Sequence, residues 1–340
     1  MPHDGLRKAI LMTAIAEIAP QTPSATAGYL TVQVEMLRRL RDAAVDLFVQ
    51  YAPDASPVLY HRAGCPMEPE QFGRLLEAGV LNIYVRSDDF QYFGAHLLET
   101  VDTLAEQETV PSAERFAALQ LAMAVEIEHV SRLVDCAPFI SLADKVGRDL
   151  TTLLTANTVI PRDLFRLARH DFNTFTHVTN VAGYAVILAK QLGLCSGDEL
   201  EQIAKAAILH DIGKRFIPTS ILQKPAKLSP EEREIIESHP QRGYEELCSR
   251  PDMTFEQLMI VYQHHERFDG KGYPVGLQGE EIHPWARMLA VVDVFDAMTG
   301  TRPYRRPATP LEAMEYILQT AGTHFDPEVV ACWSMTMAKT

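Results

Sequence analysis

No two of the five cysteines stand in CxxC spacing; Cys65, Cys136, Cys195, Cys248 and Cys332 are scattered and odd in number. That argues against a zinc ribbon or a disulfide framework and fits a reducing cytoplasm. Nor does any apolar run reach the roughly 18 residues that suggest a membrane-spanning helix. Near the N-terminus, ILMTAIAEIAP follows Arg7 and Lys8 but is interrupted by Glu17, so it reads as a helix or strand segment rather than a signal peptide. Basic side chains are few relative to acidic ones, 31 against 45, for a net charge of −14. This balance argues against nucleic acid polymers and anionic membranes as main partners, while leaving room for a local basic pocket that takes one small anion. There is no internal repeat and no low-complexity tract.

What is present is an ordinary globular mixture, 47% hydrophobic and 22% charged over 340 residues. It is long for one compact domain. The first third is mixed. DLFVQY (46–51), PVLYHRAG (57–64) and VLNIYV (80–85) read as strands, and EPEQFGRLLEAG (68–79) as a helix closed by Gly79. Ser87 is placed to cap a helix carrying Phe90, Phe93, Leu97, Leu98 and Val101. From Pro111 to about Ile160 the spacing turns helical, with Phe116, Leu119, Met123 and Ile127 on one face and Pro138 as a break. This stretch is read as an interdomain helical bundle or a dimerisation element, not a cofactor site. After Pro161, helical patterns cover 162–169, 171–192, 198–211, 230–239, 242–249, 254–265, 284–298 and 310–320.

The second half carries the chemistry. His177 lies on a helix with Val178, Val181, Ala185 and Leu188. His210 and Asp211 end the next helix, His239 stands before Pro240, and His264 and His265 end another helix before Glu266. Asp293 lies inside the apolar run LAVVDVFDAM, where a lone carboxylate needs a cation or an ion pair. Singly each is weak, but imidazoles and carboxylates together suit octahedral iron or manganese. Neighbouring helical residues diverge by about 100°, so His210 and Asp211 fit a pair of ions better than one, with the carboxylate as bridge.

HDIGK (210–214), IPTSILQKPAKLSPEE, HP with Gly243, HHERFDGKGYP (264–274) and VDVFDAMTGTRPYR (292–305) follow in an order that resembles the HD-GYP domain, a branch of the HD phosphohydrolase superfamily. The resemblance covers about 180 residues. It implies an all-α domain that binds two or three metal ions and hydrolyses cyclic di-GMP. Matched to the family's motifs, the metal ligands fall on His177, His210, Asp211, His239, His264, His265 and Asp293. Asp211 and Lys214 become catalytic, and Lys214, Gly272, Tyr273, Arg302 and Arg305 line the substrate side. Members with three metals carry a glutamate four residues before the first helical histidine; here Asn173 stands there, so two divalent ions, iron or manganese, are expected.

Physically, two cations sharing Asp211 and a water lower that water's pKa enough to give hydroxide near neutral pH. In-line attack on phosphorus follows, with Lys214, Arg302 and Arg305 offsetting the developing charge. The product is pGpG, or GMP after further hydrolysis. A phosphodiesterase for another cyclic dinucleotide, and a non-catalytic cyclic di-GMP receptor, are the alternatives. The expected architecture is α+β overall: a small α+β regulatory module (1–107) that lacks the phosphoacceptor pattern of a receiver domain, a helical connector (108–160) through which a homodimer could form, and the all-α HD-type domain (161–340). About 180 residues are enough for that last part to bury a core of its own.

Overall fold

The computed structural model describes residues 28–37, 43–52, 55–80, 82–89, 92–93, 96, 136–156, 174–193, 197–222, 224, 226–300 and 307–338. The chain divides into two compact units, Met1–Phe93 and Gly94–Thr340.

The first unit is α+β, as expected. Strands β1 (Tyr29–Gln33), β2 (Leu47–Val49), β3 (Val58–His61) and β4 (Asn82–Arg86) form an antiparallel sheet in the order β1-β4-β2-β3. A short helix α1 (Val34–Leu37) follows β1, and α2 (Pro69–Glu77) precedes β4. Alternation sets the inward face: Ile83 and Val85 of β4 are buried, as is Val32 of β1. Phe72 and Leu75 give α2 a buried side, and Gly79, at φ 77°, turns the chain out of it. Sequence reasoning found β2, β3, β4 and α2 but not β1, although TVQVE alternates. Beyond Ser87–Asp89, a single 3-10 turn, most of the helix expected after Ser87 lies outside the described residues.

The second unit is helical. Helices α3 (Ala137–Ala156), α4 (Thr174–Leu192), α5 (Gly197–Leu209), α6 (Thr219–Leu222), α7 (Pro230–Glu237), α8 (His239–Leu247), α9 (Phe255–Gln263), α10 (Pro284–Thr299), α11 (Pro310–Gln319) and α12 (Pro327–Ala338) follow one another, with 3-10 turns at Ile212–Phe216 and Gly279–Glu281. Proline and a capping residue open several of them. Ser229 before α7 and Thr309 before α11 accept the N–H of Glu232 and Glu312, whose carboxylates bond back. Helix α4 is buried almost all round from His177 to Ala189 and packs against α3, α5, α10 and α12. It is the axis of the unit.

The expected helix 162–169 and the face at 116–127 lie outside the described residues, as do both expected domain boundaries near 107 and 160. Pro138 stands in the first turn of α3, where its missing N–H costs nothing. Helix α12 was overlooked because VVACWSMTMA is apolar with no stripe to read; its Trp333 is fully buried against Tyr184 and Phe295. The apolar side of α3, with Ile140, Ala143, Val146, Leu150 and Leu154, is buried within the same unit, and α3 packs along α5. Gly147 permits the close approach, since a Cβ there would lie 3.1 Å from the Glu201 carbonyl oxygen. Lys205 of α5 is buried, donates to the Asp252 carbonyl at 2.9 Å and lies 3.4 Å from Asp144 of α3.

At about 1.5 kcal/mol or more for each large apolar side chain, losing α3 removes several kcal/mol. A fragment starting at Cys136 should therefore melt cooperatively near the full-length temperature, whereas one starting at Pro161 should be poorly soluble or melt at least about 10 °C lower. Thermal denaturation followed by circular dichroism compares them. Equal melting temperatures would mean that α3 is dispensable.

Candidate metal centre

The end of α5 is where the site begins. After Leu209 the chain tightens into His210, Asp211 and the 3-10 turn. Gly213 lets that turn sit directly on the start of α8: a Cβ there would lie 1.9 Å from the His239 carbonyl oxygen and 2.7 Å from the Gly243 nitrogen. Gly243 in turn faces Val261 of α9, and a Cβ added there would lie 2.9 Å from Val261 Cγ1. This crossing draws His239, the first residue of α8, toward Asp211. His264 and His265 leave the end of α9, while α4 supplies His177 and α10 supplies Asp293.

All seven residues expected as ligands come together, in two groups whose donor atoms lie within 4.8 Å of one another: Asp211, His239, His264 and His265, and His177, His210 and Asp293. Asp211 faces both. Its Oδ1 lies 3.2 Å from His239 Nε2 and 3.9 Å from His264 Nε2, while its Oδ2 lies 3.4 Å from His210 Nε2. Asp293 Oδ1 is 3.1 Å from His177 Nε2 and 4.0 Å from His210 Nε2.

The histidine protons are committed outward. Nδ1 of His210, His239 and His264 donates to the backbone carbonyls of Ala207 (2.6 Å), Ile236 (2.8 Å) and Val261 (2.9 Å), and His177 Nδ1 donates to Asp296 Oδ2 at 2.8 Å. At His210, His239 and His264 an acceptor-only partner fixes the tautomer and leaves Nε2 as a lone pair pointing inward. His239 Nε2 and His264 Nε2 then face each other at 3.2 Å. Two lone pairs at that distance repel unless a proton or a cation lies between them.

Charge states follow the same logic. Burial, reinforced by neighbouring imidazoles, pushes His264 well below its ordinary value, and burial takes His265 down to about 3. Burial alone would raise Asp211, but Lys214 and the imidazoles hold it well below the usual carboxylate range. His177 goes the other way: despite burial, hydrogen bonds to Asp293 and Asp296 raise it to about 9. His210 Nε2 and Asp211 Oδ1 are buried and make no hydrogen bond of acceptable geometry. Inward lone pairs, ionised carboxylates and unsatisfied buried atoms are what a divalent cation satisfies. The donor set fits a metal.

The other expected residues lie around this core. Lys214, one third exposed, donates to Asp211 Oδ2. Gly272 is forced, since a Cβ would lie 2.3 Å from the Arg267 nitrogen. Tyr273, joined to Pro274 by a cis peptide, lays its ring on His265, with centroids 4.8 Å apart at 30°. Burial, and then the Glu237 carboxylate, drive its phenol pKa far upward. Arg302, Arg305 and Asn173 lie outside the described residues.

Two partners were missed. Asp296 anchors His177 and is itself held by Asn180 Nδ2 at 2.9 Å; it lies one turn after Asp293, a spacing that puts both on one helix face. Glu266, next to the histidine pair, is buried under the loop that follows.

A profile of the HD domain matches residues 162–329. Residues 162–329 belong to the HD domain family. The resemblance to the HD-GYP branch is upheld by relatives. Over 187 residues the chain is 43% identical to the cyclic di-GMP phosphodiesterase response regulator RpfG of Xanthomonas campestris, covering 52% of this chain and 49% of that protein. Over 159 residues it is 41% identical to the 3'3'-cGAMP-specific phosphodiesterase 2 of Vibrio cholerae, covering 46% and 30%. The chain thus spans half or less of the length of these relatives. Among solved structures, Bd1817, an HDG"Y"P protein from Bdellovibrio bacteriovorus, matches with a TM-score of 0.69 over 91% of this chain and 99% of that one. At 18% identity this likeness speaks for the fold.

The glycine crossing yields a test within the HD domain. Gly213→Ala must push the turn away from His239, an overpacking that typically costs about 1–3 kcal/mol. Its melting temperature should fall by several degrees, and a variant as stable as the parent would show that the crossing is slack.

Proposed function

We propose that the HD domain is a metal-dependent phosphodiesterase that hydrolyses cyclic di-GMP to pGpG, with GMP as the product of a second cut. The observation that carries this reading is Asp211, whose two carboxylate oxygens face different histidine groups. Two divalent ions would be held there, one by His239, His264 and His265 and the other by His177, His210 and Asp293, with Asp211 available to both. Iron or manganese suits seven nitrogen and oxygen donors, and Asn173 in place of a carboxylate favours two ions over three.

When bound, the ions supply Lewis acidity to the phosphodiester and lower the pKa of water. The chain does the rest. Asp296 orients His177, and the backbone carbonyls keep His210, His239 and His264 in the tautomer that presents Nε2. Lys214, beside Asp211, offers its ammonium to the charge that develops on the phosphoryl oxygens. Tyr273 forms the wall next to His265 where the dinucleotide lies, and Arg302 and Arg305 are assigned to its phosphates. Residues 1–107 are assigned a regulatory role, and a reducing cytoplasm suits an iron-loaded site. No described helix is long and apolar enough to cross a membrane. With its full ligand set, the HD domain is read as an enzyme rather than a receptor.

A second reading, hydrolysis of 3'3'-cGAMP, is favoured by the Vibrio cholerae relative. Protein purified without air should carry close to two iron or manganese ions per chain and convert cyclic di-GMP to pGpG on chromatography. About three ions, or none, would overturn the two-ion site, and faster cleavage of 3'3'-cGAMP would favour the second substrate.

Two variants sharpen the assignment. Asp211→Ala should lose metal and at least about 100-fold in turnover, more than 2.7 kcal/mol in barrier terms. Retention within tenfold would exclude a bridging role. Asp296→Asn should leave the helical content intact while weakening manganese binding about tenfold, read by titration of the metal-free protein. Unchanged affinity would show that the Asp296–His177 bond does not organise the site.

A further inference from the structure

The loop between His265 and Gln278 has an internal anchor that the proposed chemistry does not use. Glu266 follows the histidine pair directly and is only 2% exposed. Its Oε1 accepts the N–H of Val275 at 2.7 Å and of Gly276 at 3.1 Å; its Oε2 accepts the N–H of Gly276 and Leu277 at 3.0 Å each. Among the described residues no cation pairs with it. A buried carboxylate is here balanced by three successive backbone amides, a charge-assisted arrangement.

The same loop carries Tyr273. Its N–H donates to the His265 carbonyl at 3.2 Å, and Gly272 lets the chain pass so close that a Cβ would lie 2.5 Å from Glu266 Cα. The loop therefore folds back on the residue that anchors it. Tyr273 ends with its ring on His265, whose ring lies 4.2 Å from that of His264 and 5.0 Å from that of His239.

We propose that Glu266 is a positioning residue: by gathering the amides of Val275, Gly276 and Leu277 it holds Tyr273 against His265, on the side of the site where substrate binds. The substrate part of this statement rests on the phosphodiesterase reading above. Glutamate is required by charge and by reach. An ionised carboxylate presents acceptors only, whereas glutamine would turn an NH2 toward amide donors, and aspartate falls one methylene short. The far side of the loop is braced independently, because Phe268 and Asp269 donate their N–H groups to the carbonyls of His324 at 3.1 Å and Thr323 at 2.8 Å. Loss of the anchor should free the Tyr273 segment without unfolding the unit.

The test uses full-length Glu266→Asp and Glu266→Gln, each alone and combined with Tyr273→Ala. Hydrogen exchange of the 273–278 segment needs no substrate. The amides of Val275, Gly276 and Leu277 should exchange at least about tenfold faster in both Glu266 variants, with manganese content and helical circular dichroism unchanged. In turnover of cyclic di-GMP, KM should rise about tenfold, the scale on which such supporting partners act, with a smaller change in kcat. In the Tyr273→Ala background the same substitutions should add less than about threefold, because coupled residues are non-additive. Unchanged exchange overturns the anchor; a full additional tenfold in that background overturns its action through Tyr273, as does an effect confined to metal content. If Glu266→Gln fails to fold, Glu266→Asp, which keeps the charge, decides. Failure of the parent protein to cleave cyclic di-GMP would sink the functional reading alone, and the exchange measurement would still decide for or against the anchor.

Discussion

Burying two carboxylates and four imidazoles in an apolar helical bundle, with a fifth imidazole half-buried beside them, leaves too few inward protons to satisfy them, and the rest of the HD domain is arranged around that deficit. Each of His177, His210, His239 and His264 commits its Nδ1 proton to an outer acceptor, so the Nε2 lone pairs of His210, His239 and His264 point inward, and His177 turns its Nε2 to Asp293. Asp211 and Asp293 add negative charge to the same space. Removing charged groups from water costs several kcal/mol per ion unless something repays it. Protons do so only in part: His177 takes one up readily, while His264 and His265 resist. Divalent cations would complete the arrangement.

Such a centre needs walls that do not give. Helix α4, buried almost all round, provides one and carries His177. Helix α10 presents Asp293 and Asp296 one turn apart, so the group facing the site and the group that orients His177 share a rigid element. The close crossing at Gly213 and Gly243 fixes the third wall, because backbone packed against backbone has no rotamer by which to relax. The loop over His265 is held in a different manner, by a carboxylate gathering amides rather than by apolar packing.

Much of this was legible beforehand, for reasons that can be named. Helices opened by Ser229 or Thr309 announce themselves through a cap and a glutamate three residues on, and strands such as Asn82–Arg86 through alternation. The HDIGK and HHERFDGKGYP runs pointed to His210, Asp211, His264 and His265, which the fold brings together, because the residue types that hold metals are few and their order is uncommon by chance. Helix α12 escaped because it is apolar on every side. Asp296 and Glu266 escaped for another reason: each acts through a neighbour, and an anchoring carboxylate looks in sequence like any acidic residue beside a motif.

The amino-acid sequence alone determined the helical class of the second half, the family it resembles and the set of side chains able to hold a metal, because periodicity, caps and motif order are local properties of the chain. Only the tertiary structure decided how those side chains divide into two groups, which oxygen of Asp211 faces which group, and which carbonyls and carboxylates fix the histidine tautomers. It also decided that α3 packs on α5 inside the helical unit. These are distances between residues up to 119 positions apart, as for His177 and Asp296. They follow from how the helices cross, and crossing geometry depends on the close backbone approaches at Gly147, Gly213 and Gly243, which no local pattern encodes.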